Sequence, residues 1–142
     1  MNVLAPVSSI MTKDLITVNP SDKLKDVWEI FSNHKIHHIP VVRYKELVGI
    51  ISKSDVLYFL KGLGDDTSQD LMNEVRLNNY SAESIMTTGF AKLEPDDRIN
   101  VALDVFGVNL FHALPVVEGK ELVGILTPFD IIKALAEEGV TQ

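Results

Sequence analysis

Residues Val41–Val56 read "VVRYKELVGIISKSDV", and residues Val116–Ile131 read "VVEGKELVGILTPFDI". The two stretches share the string "KELVGI" and lie 75 positions apart. A match at a fixed period is the mark of a duplicated unit. At the same offset, "SIMT" at Ser9–Thr12 falls on "SIMT" at Ser84–Thr87. Pro20 falls on Pro95, Asp22 on Asp97, Phe31 on Phe106, His37 on His112, Pro40 on Pro115, Gly49 on Gly124 and Asp55 on Asp130. No gap is needed from Ser9 to Leu60. The chain therefore reads as two copies of one unit, residues 7–61 and 82–137, joined by a linker over 62–81.

Pattern gives each copy a coarse structure. "DLITVNP" is a short β-rich run closed by Pro20. "SDKLKDVWEIFSNH" carries apolar residues at Leu24, Val27, Trp28 and Phe31, which is helical spacing, with Ser21 or Asn19 placed to cap it. "HHIPVV" and "ELVGIIS" are β-branched runs separated by "RYK", the pattern of a hairpin. "KSDVLYFLKGLG" reads as a helix stopped by glycines, and "VSSIM" as a small helical turn. The second copy repeats the plan, with Gly119 in the hairpin turn and Pro128 in the first turn of the last helix. In the linker, "SQDLMNEVRL" has the composition of a further helix. The expected fold class is mixed α/β (α+β): two pseudo-symmetric β-α-β-β-α units packed through their sheets. A small sheet with two helices leaves one face bare, and a second unit can cover it. Two related clefts would follow from that packing.

Composition narrows the function. The 142 residues include no cysteine, so disulfides, thiolate-bound zinc and thiol catalysis are excluded. A chain of this length buries roughly 68–70% of its unfolded surface and needs no staple to fold. The net charge of −7 argues against a nucleic-acid binder, which needs a basic face. A local anion site built on backbone N–H groups stays compatible with it. The start "MNVLAPVSSIMTKD" lacks the basic-then-apolar pattern of a secretory signal. No apolar run approaches the ~18 residues of a membrane span, so a cytoplasmic protein without a membrane partner is expected.

With the motifs in order, a family emerges. "SIMT", then "HHIPVV" and "HALPVV", then "LVGIISKSD" and "LVGILTPFD" resemble the CBS domain, a small regulatory module found in tandem pairs. The resemblance covers nearly the whole chain. It implies a ligand site for adenosine-containing molecules (AMP, ADP, ATP or S-adenosylmethionine) in each cleft. It also implies a homodimer and an effector protein, of unknown identity, that reads the ligand.

The ligand motif of that family runs glycine, two apolar residues, Ser or Thr, any residue, Ser or Thr, Asp. Gly49, Ser52, Ser54 and Asp55 fill it. An ionised carboxylate accepts only, so Asp55 suits the two hydroxyls of a ribose, while Ser52 and Ser54 at a helix start suit phosphate. Ser52-x-x-Asp55 ahead of an apolar run is equally a helix-capping pattern, and both roles stand. The second copy keeps Thr127 and Asp130 but has Pro128 and Phe129 for Lys53 and Ser54. The two sites are therefore expected to be unequal, with the Asp55 site better suited to a phosphorylated ligand. By the same resemblance, His37, His38 and Pro40, and His112 and Pro115 in copy two, line the site. So do Thr12, Lys13, Ile16 and Thr17, with Thr87 in copy two. A histidine near neutral pH can help hold phosphate, and a strand-start histidine can equally be packing. His34, His37 and His38 invite a metal reading, but adjacent strand residues face opposite sides and no cysteine assists, so no metal is expected. No nucleophile–base pair and no phosphate loop of the G-x-x-x-x-G-K type is present, so no enzyme is expected. The other reading is a docking scaffold without a ligand.

Overall fold

The structure is a computed structural model that describes residues 1–61 and 69–140. The chain forms two compact units. One comprises Ile16–Gly89; the other joins Met1–Leu15 to Phe90–Gln142. Each is named below after its motif aspartate.

In the Asp55 unit, α1 (Leu24–Asn33) leads to a hairpin of β1 (His38–Arg43) and β2 (Glu46–Ser52), then α2 (Lys53–Lys61). The two-residue turn is Tyr44–Lys45, both with positive φ (50° and 69°). That is the left-handed geometry that matches the twist of a tight hairpin. The stop expected at Gly62 and Gly64 lies outside the described residues. The linker does contain a helix, α3 (Gln69–Asn79), and α4 (Ala82–Ile85) follows. The core gathers Val27 and Phe31 from α1, Ile39 and Val41 from β1, Ile51 from β2, Val56 and Leu60 from α2, and Ala82. Their spacing is why these segments fold: a helical stripe is laid on alternate strand residues.

The Asp130 unit repeats this with α5 (Ile99–Gly107), β3 (Leu114–Glu118), β4 (Glu121–Leu126) and α6 (Pro128–Val140). Its core holds Val7, Leu93, Ile99, Ala102, Leu114, Val116 and Leu126. Gly119 supplies the positive φ (65°) of its hairpin turn. Both hairpins carry a bulge at the same place, after Val41 and after Val116, opposite Gly49 and Gly124.

Two expectations meet a different structure. The opening β-run of each copy shrinks to a single parallel bridge, Val18 to Val41 and Leu93 to Val116. The ladder stops there because the next amide turns to a carboxylate: Asn19 N–H donates to Asp22 at 2.8 Å, and Glu94 N–H to Asp97 at 2.8 Å. Pro20 and Pro95 then have no N–H to offer. Neither Ser21 nor Asn19 caps α1; its N-cap residue is Lys23, which makes no side-chain cap bond. The first helical amide, Leu24 N–H, instead donates to the Tyr80 carbonyl at 2.9 Å.

That last bond belongs to a wider pattern. Ala82 N–H donates to Asp22 O (2.8 Å) and Glu83 N–H to Pro20 O (2.9 Å). In the Asp130 unit Val7 N–H donates to Asp97 O (2.7 Å), Ser8 N–H to Pro95 O (3.2 Å) and Ile99 N–H to Ala5 O (3.0 Å). The opening turn of each sequence copy therefore completes the compact unit built around the other copy's hairpin. The units of packing and the units of repetition are different divisions of the chain.

Candidate functional site

The site is built at the junction where the second hairpin strand passes into a helix. The motif glycine sets its floor. A Cβ at Gly49 would lie 2.5 Å from Met86 Sδ and 2.8 Å from Met86 Cγ, and one at Gly124 would overlap Met11 in the same way. Glycine leaves the methionine of "SIMT" room to lie across the strand, and a larger residue would make it shift. The following threonine is then paired to the strand by backbone bonds. Thr87 N–H donates to Ile50 O at 2.8 Å, and Ile50 N–H returns to Thr87 O at 3.0 Å. Thr12 and Ile125 exchange the same two bonds, at 2.9 and 3.0 Å. "SIMT" and "LVGI", far apart in sequence, are two halves of one junction.

At the Asp55 junction, Ser52 N–H donates to Asp55 Oδ2 (3.1 Å), and Asp55 N–H donates to Ser52 Oγ (3.0 Å). The capping reading of Ser52-x-x-Asp55 is thus realised. Capping uses only one of the roughly four acceptor positions on an ionised carboxylate. Among the described residues nothing else donates to Asp55. Ser54 Oγ lies 3.0 Å from Ser52 Oγ, so two hydroxyls sit beside the carboxylate. Lys53, half-buried, opens α2, and its N–H donates to the His37 carbonyl at 2.8 Å. His37 is exposed beside this junction; His38 is half-buried and pairs with Ser52 across the hairpin. Pro40 is buried, and its carbonyl accepts from Val18 N–H at 3.1 Å. Ile16 is half-buried, while Thr17 and Thr87 are exposed.

The Asp130 junction uses its carboxylate more fully. Thr127 N–H and Thr127 Oγ1 both donate to Oδ2, at 2.8 and 3.2 Å. Thr12 Oγ1 donates to Oδ1 at 2.8 Å. Pro128 stands where Lys53 stands in the other junction and has no N–H for the His112 carbonyl. The hairpin is shorter by one pair as a result: β3 starts at Leu114, whereas β1 starts at His38, the register partner of Ala113. Phe129, in place of Ser54, is 69% exposed. Lys13 and His112 are exposed; Pro115 is buried, and its carbonyl accepts from Leu93 N–H at 2.8 Å.

The structure thus gathers Ile16, Thr17, His37, His38, Pro40, Ser52, Ser54, Asp55 and Thr87 in one unit. Thr12, Lys13, His112, Pro115, Thr127 and Asp130 belong to the other. The contact from Thr12 to Asp130 has no local sequence signal, because the two residues are 118 positions apart. Among the described residues there is no cluster of three or more metal-ligating His, Asp or Glu side chains. Among them, too, no helix is long and apolar enough to cross a membrane.

Comparison with known proteins shows the family and the fold. The family model for the CBS domain matches twice, over residues 7–62 and 82–137. Protein MJ1225 of Methanocaldococcus jannaschii, itself uncharacterized, is 31% identical over 134 residues, which is 92% of this chain and 47% of that protein. Its crystal structure aligns with a TM-score of 0.80 at 27% identity, covering 95% of this chain and 49% of that one. The crystal structure of Arabidopsis thaliana CBSX2 in complex with AMP aligns with a TM-score of 0.78 at 25% identity, over 94% of this chain and 97% of that one. Inosine-5'-monophosphate dehydrogenase of M. jannaschii is 29% identical over 126 residues, 87% of this chain and 22% of the enzyme. This chain spans about half or less of the curated relatives named here. Proteins of this kind are generally regulatory. With both copies matched in sequence and the whole fold matched in structure, the chain belongs to the CBS-domain family, as a tandem pair.

Proposed function

We propose that this chain is a regulatory module that binds an adenosine-containing ligand, principally at the Asp55 junction, and passes the occupied state to an effector protein in the cytoplasm. The observation that carries this reading is the unused capacity of Asp55. Its carboxylate is held by one backbone N–H and keeps about three acceptor positions, enough for both hydroxyls of a ribose. Ser52 and Ser54 offer hydroxyls to a phosphate beside it, and Lys53 opens the helix there. His37, His38, Ile16, Thr17, Pro40 and Thr87 are the surrounding residues. CBSX2, whose fold this chain shares along almost its whole length, has been crystallised with AMP. The ligand acts as a regulator and not as a catalytic cofactor. Ligand changes the module only as far as it binds two states with different affinity.

A second copy of the chain is part of the same reading. Phe129, Ile132 and Leu135, spaced three apart on α6, are 69%, 61% and 49% exposed. Leu60, the register partner of Leu135, is only 7% exposed. The Asp55 unit has α3 packed against its helices, with Leu77 against the core and Arg76 donating to the Phe59 carbonyl at 3.4 Å. The α6 stripe is supplied for a symmetric partner.

Thermal unfolding with and without AMP, ADP, ATP and S-adenosylmethionine tests the ligand reading. Ligand at 100 times its dissociation constant adds about 2.7 kcal/mol, a rise of several degrees for a domain of this size. A rise with one of them is expected. No rise with any would favour the docking scaffold.

A further inference from the structure

The Asp130 carboxylate is already engaged by a residue 118 positions away in the sequence. Thr127 fills Oδ2 twice, and Thr12 Oγ1 holds Oδ1 at 2.8 Å. Three of about four acceptor positions are therefore taken, and a vicinal diol brings two O–H donors. The register partner of Thr12 is Thr87. Its backbone bonds to β2 match those of Thr12 to β4. Yet among the described residues the Thr87 hydroxyl makes no bond to Asp55. The backbone does not impose the contact; it is a property of the side chains at one junction only.

We propose that Thr12 is a specificity-determining residue: its hydroxyl competes with ribose for Asp130 and keeps this junction from binding nucleosides that the Asp55 junction accepts. The proposal rests on the reading of these junctions as ribose sites. Removing the hydroxyl returns Asp130 to two free acceptor positions, the number a diol needs. Thr12 is exposed, so valine in its place removes the donor without opening a core cavity.

The test is calorimetric titration of AMP and of adenosine, the nucleoside without phosphate, into four proteins: the unaltered chain, Thr12→Val, Asp55→Ala and Thr12→Val/Asp55→Ala. Thr12→Ser, which keeps the hydroxyl, is the control. The unaltered chain should bind with a stoichiometry of one. Thr12→Val should bind two, the added site being about tenfold or more tighter than in the parent, the equivalent of one hydrogen bond to a charged group. The double variant should bind adenosine where Asp55→Ala does not, and Thr12→Ser should behave as the parent. If the unaltered chain binds at Asp55 and Thr12→Val adds no site, Thr12 is not the competitor and the ligand reading survives. If only Thr12→Val and the double variant bind, the proposal holds and the Asp55 reading fails. If no protein binds either probe, both fail. Folding of each variant is checked by circular dichroism and melting, and Thr12→Ala replaces Thr12→Val should the valine perturb them.

Discussion

At the start of α2 the Ser52 amide donates to Asp55, and at the start of α6 the Thr127 amide donates to Asp130. Below both lies a glycine crossed by a methionine, and beside both a threonine paired to the strand by two backbone bonds. The side chains then part. One carboxylate is flanked by two serine hydroxyls and a lysine; the other is flanked by a proline and an exposed phenylalanine and is held by Thr12. A duplicated fold demands the backbone of the junction twice, since each unit needs the other copy's opening turn to finish its core. It does not demand the same side chains, and that is where the two copies are free to differ in ligand.

The comparison breaks most visibly on Asp55→Ala. It removes the acceptor of two charge-assisted bonds to ribose, each worth about 1.5 kcal/mol or more, so AMP affinity should fall roughly 100-fold or further. Asp130→Ala should leave the tighter AMP site within about twofold, since Asp130 belongs to the other junction. Equal losses, read by calorimetry, would make the junctions equivalent. Gly49→Ala and Gly124→Ala probe what the junctions share. Each forces a Cβ against methionine and should cost about 1–3 kcal/mol in urea unfolding, with little difference between them. A cost at one position only would separate the two backbones. The smallest effect concerns the threonines. Thr12→Val loses a hydrogen bond to a carboxylate at an exposed site, about 0.5–1.5 kcal/mol, while Thr87→Val should be nearly neutral. Matching costs in thermal melts would remove that asymmetry.

The sequence announced the duplication, the two hairpins and the helices, because periodicity at 75 residues and alternation within strands are local signals. α3, in the unrepeated linker, was legible from the composition of "SQDLMNEVRL" alone. The exchange of opening turns was not. "VSSIM" has the same pattern whichever hairpin it packs against, and only the bonds from Val7 to Asp97 and from Ala82 to Asp22 decide. The shortened first strand was hidden in Asp22 and Asp97, which read as acidic residues near a helix start but take the amide that would have extended the ladder. α1 lacks a side-chain cap because its N-cap position falls on Lys23, whose ammonium has no acceptor to offer, and not on Ser21 or Asn19. At the site, the motif residues Ser52, Ser54 and Asp55 were legible as a group because they are neighbours in sequence. Thr12 was legible only as a family position; nothing near it in the chain points to Asp130.

The central claim is that the two junctions are unequal toward a nucleotide, and a site-resolved titration tests it most directly. AMP is added to the isotopically labelled protein while the backbone amides of Ser52–Asp55 and of Thr127 and Asp130 are followed by NMR. The Ser52–Asp55 amides should shift and saturate first, with those of Thr127 and Asp130 unmoved until AMP is in large excess. Saturation of Thr127 and Asp130 at the same or lower AMP would contradict the account.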